Sequence, residues 1–150
     1  MSQRRISYRE YRPGLAAMHA LDKSVHESGL EGPLLELVKM RASQINECAF
    51  CLDMHWKDAR ANGETEQRLY GLSAWRETPY YSERERSALA LTEAVTRIDG
   101  GVPDQVIEAA EAHFSPQELQ ALLFAIVAIN AWNRLAISGR SPAGSYQPGP

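Results

Sequence analysis

The residues of this chain most capable of chemistry are two cysteines and a histidine within ten positions. They lie in the stretch NECAFCLDMH, residues 46–55, where Cys48 and Cys51 are three residues apart and His55 follows four residues later. On an α-helix these three positions fall within about 60° of one another, so the two sulfurs can meet and the imidazole can reach them. Two thiols with a base within reach are what disulfide exchange or peroxide cleavage requires.

The start of the predicted helix bears on which thiol reacts. Asn46 is a good N-cap, which would place Cys48 at the second helical position, where free backbone N–H groups and the helix dipole stabilise a thiolate. His55 lies one turn beyond Cys51 and can act as its base or as a cation beside its thiolate. The dipole favours Cys48 as the nucleophile and the histidine favours Cys51, so the residues leave both assignments open.

A glutamate upstream is the candidate partner of the histidine. Glu36 lies among apolar residues in LLELVKM, where it is either a solvent-facing side chain of an amphipathic helix or a group that orients His55. In one straight helix over 33–60, Glu36 would lie about 18 Å from Cys48, too far to act. A break near Asn46 would let the two halves fold against each other and bring the carboxylate to the imidazole.

The same cysteines could instead bind zinc or simply pack. A structural zinc site normally has four N or S ligands, and the remaining histidines, His19, His26 and His113, are not at ligand spacing. A Cys2His site closed by water remains an alternative, as does a small structural helical module. A thioredoxin-like fold is excluded because its CxxC lies in a βαβ context and strand signals are nearly absent here.

The elements that must position these residues are helices. Apolar residues recur at three and four positions, which predicts an all-α, single-domain bundle of about six to seven helices over residues 1–138. Ser82 with Glu85 and Ser115 with Glu118 predict two capping boxes, and SAWRETPYY, residues 73–81, is predicted as an aromatic loop. The predicted tail, 139–150, is rich in Pro, Gly and Ser and is expected to be flexible or to pack on a neighbouring subunit.

Charge and hydropathy exclude several function classes. The formal net charge is −3, with 16 basic and 19 acidic residues spread along the chain, so there is no basic field for nucleic acid. The longest apolar run, residues 121–129, is too short to span a bilayer, and no apolar segment follows the N-terminal arginines. We therefore expect a cytoplasmic protein without a nucleic-acid or membrane partner.

The stretch ELVKMRASQINECAFCLDMH resembles the core motif of the AhpD-like alkylhydroperoxidases, in the carboxymuconolactone decarboxylase superfamily. The motif is a glutamate, eleven residues, CxxC, three residues and a histidine, and Glu36, Cys48, Cys51 and His55 match it at every position. The later INAWNRLAIS also resembles the last core helix of the family.

This resemblance implies an all-α homo-oligomer, a trimer or hexamer, that reduces hydroperoxides without a metal or organic cofactor through a redox-active Cys48–Cys51 disulfide. It implies that Cys51 becomes a sulfenic acid, that Cys48 closes the disulfide and that Glu36 and His55 relay protons. An external dithiol, lipoyl or thioredoxin-like, would then restore the thiols. Well-known members carry a histidine immediately before the second cysteine, where this chain has Phe50, so we expect weaker or differently routed peroxidase activity.

The resemblance also supplies two alternatives. The chain could be a dithiol adaptor that reduces a peroxiredoxin or accepts electrons from a lipoyl group, and rapid disulfide exchange without peroxide turnover would favour this function. It could also be a lactone decarboxylase, which needs no cysteine chemistry and against which the intact CxxC argues.

Overall fold

The computed structural model describes residues 5–149 and is all-α over that range, as predicted. It contains seven α-helices and two short 3-10 helices, and no strand occurs among these residues. The α-helices are α1 (Arg12–His26), α2 (Gly32–Ile45), α3 (Ala49–Ala61), α4 (Glu66–Gly71), α5 (Glu83–Arg97), α6 (Asp104–Glu111) and α7 (Pro116–Ser138), and the 3-10 helices are Tyr8–Glu10 and Leu72–Glu77.

Local sequence signals set where several helices begin. The capping boxes are both present: Ser82 accepts a hydrogen bond from the Glu85 N–H at the start of α5, and Ser115 accepts one from the Glu118 N–H at the start of α7. In each box the glutamate also accepts a hydrogen bond from the N-cap backbone, so two otherwise unpaired donors are satisfied.

Helix α2 forms the centre of the bundle and packs against α3, α5 and α7. Its apolar residues divide between two clusters. Leu34, Leu35 and Val38 pack with α1, α5, α6 and α7, while Leu37 and Met40 pack with α3, α4, α5 and the segment after α4. Because α2 is covered on most sides, its polar side chains, including Glu36, are held inside the molecule rather than on its surface.

Part of the high apolar content of helix α7 is buried by this packing. By length and composition alone it could cross a membrane, but core helices of globular proteins have the same composition. Seven of its residues are buried in the bundle: Leu122, Ala125, Ile126, Ala128, Ile129, Asn133 and Ala136.

The aromatic segment predicted as a loop is instead largely a 3-10 helix, Leu72–Glu77, with Trp75 and Tyr81 buried. The Trp75 indole N–H donates to Glu93, and both rings pack against α2 and α5. Burial of these two large rings orders a segment whose Pro, Ser and Thr content favours a turn. Because the rings are buried, they are not available for contact with a neighbouring subunit.

The C-terminal tail lies on α3 of its own chain. Lys57 donates to the carbonyls of Gly144 and Tyr146, at 3.4 and 2.9 Å, and the Tyr146 hydroxyl donates to Asp58 at 2.7 Å. Asp53 also accepts from the Gly144 N–H at 3.0 Å. These contacts place the tail beside the candidate site, while the predicted boundary between domain and tail stays a prediction.

Candidate active site

A sharp turn between α2 and α3 creates the site. Helix α2 ends at Ile45, and Glu47 takes a left-handed conformation with φ 56°. The prediction of Asn46 as the N-cap is wrong, because the N-cap of α3 is Cys48 itself. Asn46 caps the end of α2 instead, and its side-chain amide donates to Asn130 and Asn133 of α7, both at 2.9 Å.

As the N-cap residue, Cys48 uses its sulfur where a serine would use its hydroxyl. Its Sγ accepts a hydrogen bond from the Cys51 N–H at 3.4 Å. A thiolate at this position would face the free N–H groups and the positive end of the α3 dipole, which stabilise negative charge. The α3 dipole therefore still favours a thiolate at Cys48, although Cys48 is the N-cap and not the second residue of the helix.

Cys48 and Cys51 are joined by a disulfide, with their Cα atoms 5.3 Å apart. Both are almost completely buried, at 1% and 2% exposure, and they pack against Ala136 and Phe50. They differ in what they face, because Cys51 lines the large cavity described below and Cys48 does not. A molecule in the cavity would therefore meet Cys51 first.

The turn also brings Glu36 to His55, as the hypothesis of a helix break required. The Glu36 Oε2 lies 3.0 Å from the His55 Nδ1, and both side chains are nearly buried. Burial alone would raise the pKa of Glu36, but the hydrogen bond and charge of His55, with the charge of Lys39, lower it below its ordinary value. An ionised Glu36 can only accept, so Nδ1 carries a proton, and in the neutral ring Nε2 then has a free lone pair.

Two residues of this cluster escaped the sequence reasoning. The Lys39 Nζ lies 3.4 Å from the Glu36 Oε1 and 3.2 Å from the His26 Nε2. The spacing of three between Glu36 and Lys39 signals a possible helix ion pair, whereas nothing in the sequence indicates that His26 of α1 lies beside them.

A cavity of about 440 Å³ opens beside Cys51 and His55. Helices α1, α3 and α7 supply most of the lining of this cavity, which is mainly apolar but includes several polar side chains. The Trp132 indole N–H donates to Asp22 at 2.7 Å, and its ring packs against that of His19 at an angle of 49°, with the centroids 5.4 Å apart. Tyr146 of the tail and Tyr8 near the N-terminus also line the cavity. Its size matches sites for small organic molecules.

Metal ligands do not converge at the site. Within the part of the chain that the structure describes, no group of three or more His, Cys, Asp or Glu side chains is arranged to hold a metal ion. The polar groups around Cys51 are instead engaged with one another as hydrogen-bond donors and acceptors.

Comparison with known proteins assigns the family. A model of the carboxymuconolactone decarboxylase family matches residues 13–94, which span α1 to most of α5 and contain all four motif residues. The chain belongs to this family. As a member of the carboxymuconolactone decarboxylase family it carries the AhpD-like arrangement of a glutamate, a CxxC pair and a histidine.

Relatives extend over the whole chain. The uncharacterised protein YdfG of Bacillus subtilis is 43% identical over 147 residues, which cover 97% of this chain and 99% of YdfG. A protein of unknown function from Agrobacterium tumefaciens, provisionally assigned as an antioxidant defence protein AhpD, has a solved structure with TM-score 0.89 and 44% identity, covering 96% of this chain and 100% of that one.

A more distant solved structure shares the fold alone. An uncharacterised peroxidase-related protein from Ralstonia eutropha, described as an alkylhydroperoxidase AhpD core, superposes with TM-score 0.78 at 18% identity, covering 90% of this chain and 73% of that one. The helical architecture is therefore shared at low identity.

Proposed function

We propose that this protein is a thiol-dependent antioxidant oxidoreductase that reduces organic hydroperoxides with the Cys48–Cys51 pair. One observation carries the proposal: Cys51 and His55 line the same apolar cavity, with Cys48 in disulfide contact behind Cys51 and Glu36 behind His55. The family and its AhpD-like relatives support an enzymatic antioxidant role of this kind.

The reaction begins with the reduced pair. His55 Nε2 accepts the proton of Cys51, and the thiolate attacks the terminal oxygen of the hydroperoxide. The O–O bond breaks, Cys51 becomes a sulfenic acid, and the departing alkoxide takes the proton back from His55 and leaves as an alcohol. Cys51 is the nucleophile in this scheme because it is the cysteine that faces the cavity.

Cys48 then resolves the sulfenic acid. Its sulfur attacks the Cys51 sulfur, hydroxide leaves and is protonated to water, and the disulfide forms. An external dithiol returns two electrons and two protons and itself becomes a disulfide. The two cysteines are at most 2% exposed, so this reductant must present its dithiol on a slender arm, such as a lipoyl group, rather than on a flat protein surface.

Disulfide exchange without peroxide cleavage is the second candidate. Phe50 stands on the cavity wall where it can donate no proton. Peroxide cleavage expels an alkoxide that must be protonated, whereas disulfide exchange expels a thiolate, a better leaving group that needs less help. Phe50 leaves His55 as the source of the alkoxide proton, and the exchange function, which depends less on such a proton, is therefore the second candidate.

Peroxide consumption with a small dithiol tests the proposal. The wild-type protein should consume cumene hydroperoxide catalytically with dithiothreitol, and Cys51→Ser should abolish this activity. Cys48→Ser is the matched control, because in the absence of dithiothreitol it should still reduce one equivalent per chain and stop at a sulfenic acid that dimedone traps. Activity unchanged in Cys51→Ser would refute the proposal, and fast reduction of lipoamide disulfide by the wild type without peroxide turnover would favour the second candidate.

A further inference from the structure

Lys39 is a buried lysine to which the reaction scheme gives no task. Only 8% of its surface is exposed, and its Nζ contacts Glu36 on one side and His26 on the other, at 3.4 and 3.2 Å. Burying an ammonium group costs free energy unless partners compensate it. Of the two partners of Lys39, Glu36 is itself hydrogen-bonded to His55, and His26 lies on the opposite side of the ammonium group.

The two oxygens of Glu36 are divided between these neighbours. Oε2 accepts from His55 and Oε1 accepts from Lys39. Lys39 lies one turn along α2 from Glu36, so the rigid helix fixes its position relative to the carboxylate. His26 holds the other side of the ammonium, and it does so as a neutral ring, since burial and the Lys39 charge lower the pKa of His26.

The charge of Glu36 decides which nitrogen of His55 carries the proton. An ionised Glu36 accepts from Nδ1–H and leaves Nε2 bare, ready to take the thiol proton. A protonated Glu36 could donate to a bare Nδ1, and the ring proton would then occupy Nε2. In that tautomer His55 could no longer act as the base for Cys51.

We propose that Lys39 is the positioning residue of this relay: its ammonium keeps Glu36 ionised and thereby keeps Nε2 of His55 free to accept a proton. The inference rests on the proposed role of His55 as the base. His26 is the residue that keeps the Lys39 ammonium directed at Glu36. The relay thus extends from Cys51 through His55, Glu36 and Lys39 to His26 of α1.

The other charges around Glu36 do not replace Lys39. Arg68, across a second cavity that Glu36 also lines, is engaged by Glu64 and Glu85 at 2.8 and 2.6 Å. Within residues 5–149, Lys39 and His55 are the groups that form ion pairs with Glu36. The remaining titratable groups that line the cavities around Glu36 are Tyr8, Arg9, His19, Asp22, His26, Cys51, Asp58, Glu64 and Tyr146.

Three variants separate the charge of Lys39 from its packing. Lys39→Met removes the charge at similar size, Lys39→Arg keeps it, and Lys23→Met removes an exposed lysine of α1 as the matched control. The readout is the pair of ring ¹⁵N chemical shifts of His55 in the reduced protein between pH 5 and 9, assigned by their loss in His55→Ala.

We expect wild type, Lys39→Arg and Lys23→Met to keep the proton on Nδ1 throughout the neutral range. In Lys39→Met the Nε2–H signal should appear at a higher pH than in wild type, because an opposite charge has been removed from beside the carboxylate. A Lys39→Met spectrum identical to wild type at every pH would overturn the inference, and so would a folded Lys39→Arg that behaves like Lys39→Met.

A measurement on the wild type keeps the inference testable if Lys39→Met does not fold. The side-chain carboxyl ¹³C signal of Glu36 should titrate below its ordinary pKa of 4.5, and titration above that pKa would overturn the proposed role of Lys39. Neither measurement requires turnover, so the inference about Lys39 and the proposed peroxidase function can fail independently.

Discussion

The single residue on which the proposed reaction most depends is His55, whose two ring nitrogens have different proposed roles. The Nδ1 of His55 lies 3.0 Å from the Glu36 carboxylate, and His55 lines the same cavity as Cys51. This division allows the ring to accept the thiol proton without losing its orientation.

Replacing this imidazole should slow formation of the Cys51 thiolate. In His55→Ala we expect alkylation of the reduced protein by iodoacetamide near pH 7 to fall roughly a hundredfold, within the range that a positioned general base contributes, and the pH profile of alkylation to change. His113→Ala, which alters an exposed histidine after α6, should leave the rate unchanged. An unaltered pH profile in His55→Ala would count against the relay.

Spacing alone predicted that Cys48, Cys51 and His55 share one side of a helix start, because those contacts are local. It could not decide whether Glu36 reaches His55, which depends on the turn after α2, nor identify His26, which depends on how α1 packs. Periodicity contains no information about such contacts between helices.

At the scale of elements, the turn between α2 and α3 joins the two halves of the site. Asn46 was expected to start α3, but its amide is held by Asn130 and Asn133 of α7, so Cys48 becomes the N-cap. The sequence located the break correctly, since Asn46 is a breaker of regular helices. Asn130, whose side-chain oxygen accepts from the Asn46 amide, is 84 residues away along the chain, so no local signal could reveal this contact.

Glu47 is the residue of this turn whose backbone conformation is unfavourable in free energy. Its φ is 56°, a left-handed value that costs a residue with a Cβ about 1–2 kcal/mol. After allowing for the greater unfolded-state entropy of glycine, Glu47→Gly should stabilise the protein by roughly 0.5–1 kcal/mol in urea unfolding. Glu108→Gly, in an exposed turn of α6, should destabilise it by about 1 kcal/mol. Equal destabilisation by both changes would contradict the strained turn.

At the scale of the whole molecule, Glu93 connects α5 to α2 and to the 3-10 helix Leu72–Glu77 through hydrogen bonds. It accepts from Arg41 of α2 at 2.8 Å, from the Trp75 indole at 2.9 Å and from Arg76 and Arg97. Burial alone would raise the pKa of Glu93, but the hydrogen bonds from Arg76, Trp75 and Arg41 lower it to about 2.

This cluster predicts a pH-dependent stability. Glu93 binds protons more weakly when folded than when unfolded, so its contribution is complete above its ordinary pKa of 4.5 and is lost as the pH falls toward about 2. Glu93→Gln should lower the free energy of unfolding at pH 7 by about 3 kcal/mol, since it leaves Arg41 buried without a counter-charge. The difference from wild type should shrink below pH 4.5, and a pH-independent difference would contradict the assignment. Glu108→Gln is the exposed control.

The assembly and location of the protein stay predictions. Trp75 and Tyr81 pack in the core, whereas Leu123, Phe124 and Val127 of α7 remain exposed. We propose a homo-oligomer, a trimer or hexamer, in the cytoplasm. Light scattering at micromolar concentration should give three or six times 16.7 kDa, and a monomer would refute the prediction.

Counting thiols before and after reaction with a hydroperoxide is the most direct test of whether the Cys48–Cys51 pair reduces hydroperoxides. The fully reduced protein contains two thiols per chain, both in the CxxC pair. One equivalent of cumene hydroperoxide should convert it to a protein with no titratable thiol and release one equivalent of cumyl alcohol, while dithiothreitol should restore both thiols. Two thiols that persist in the presence of unconsumed hydroperoxide would contradict the account.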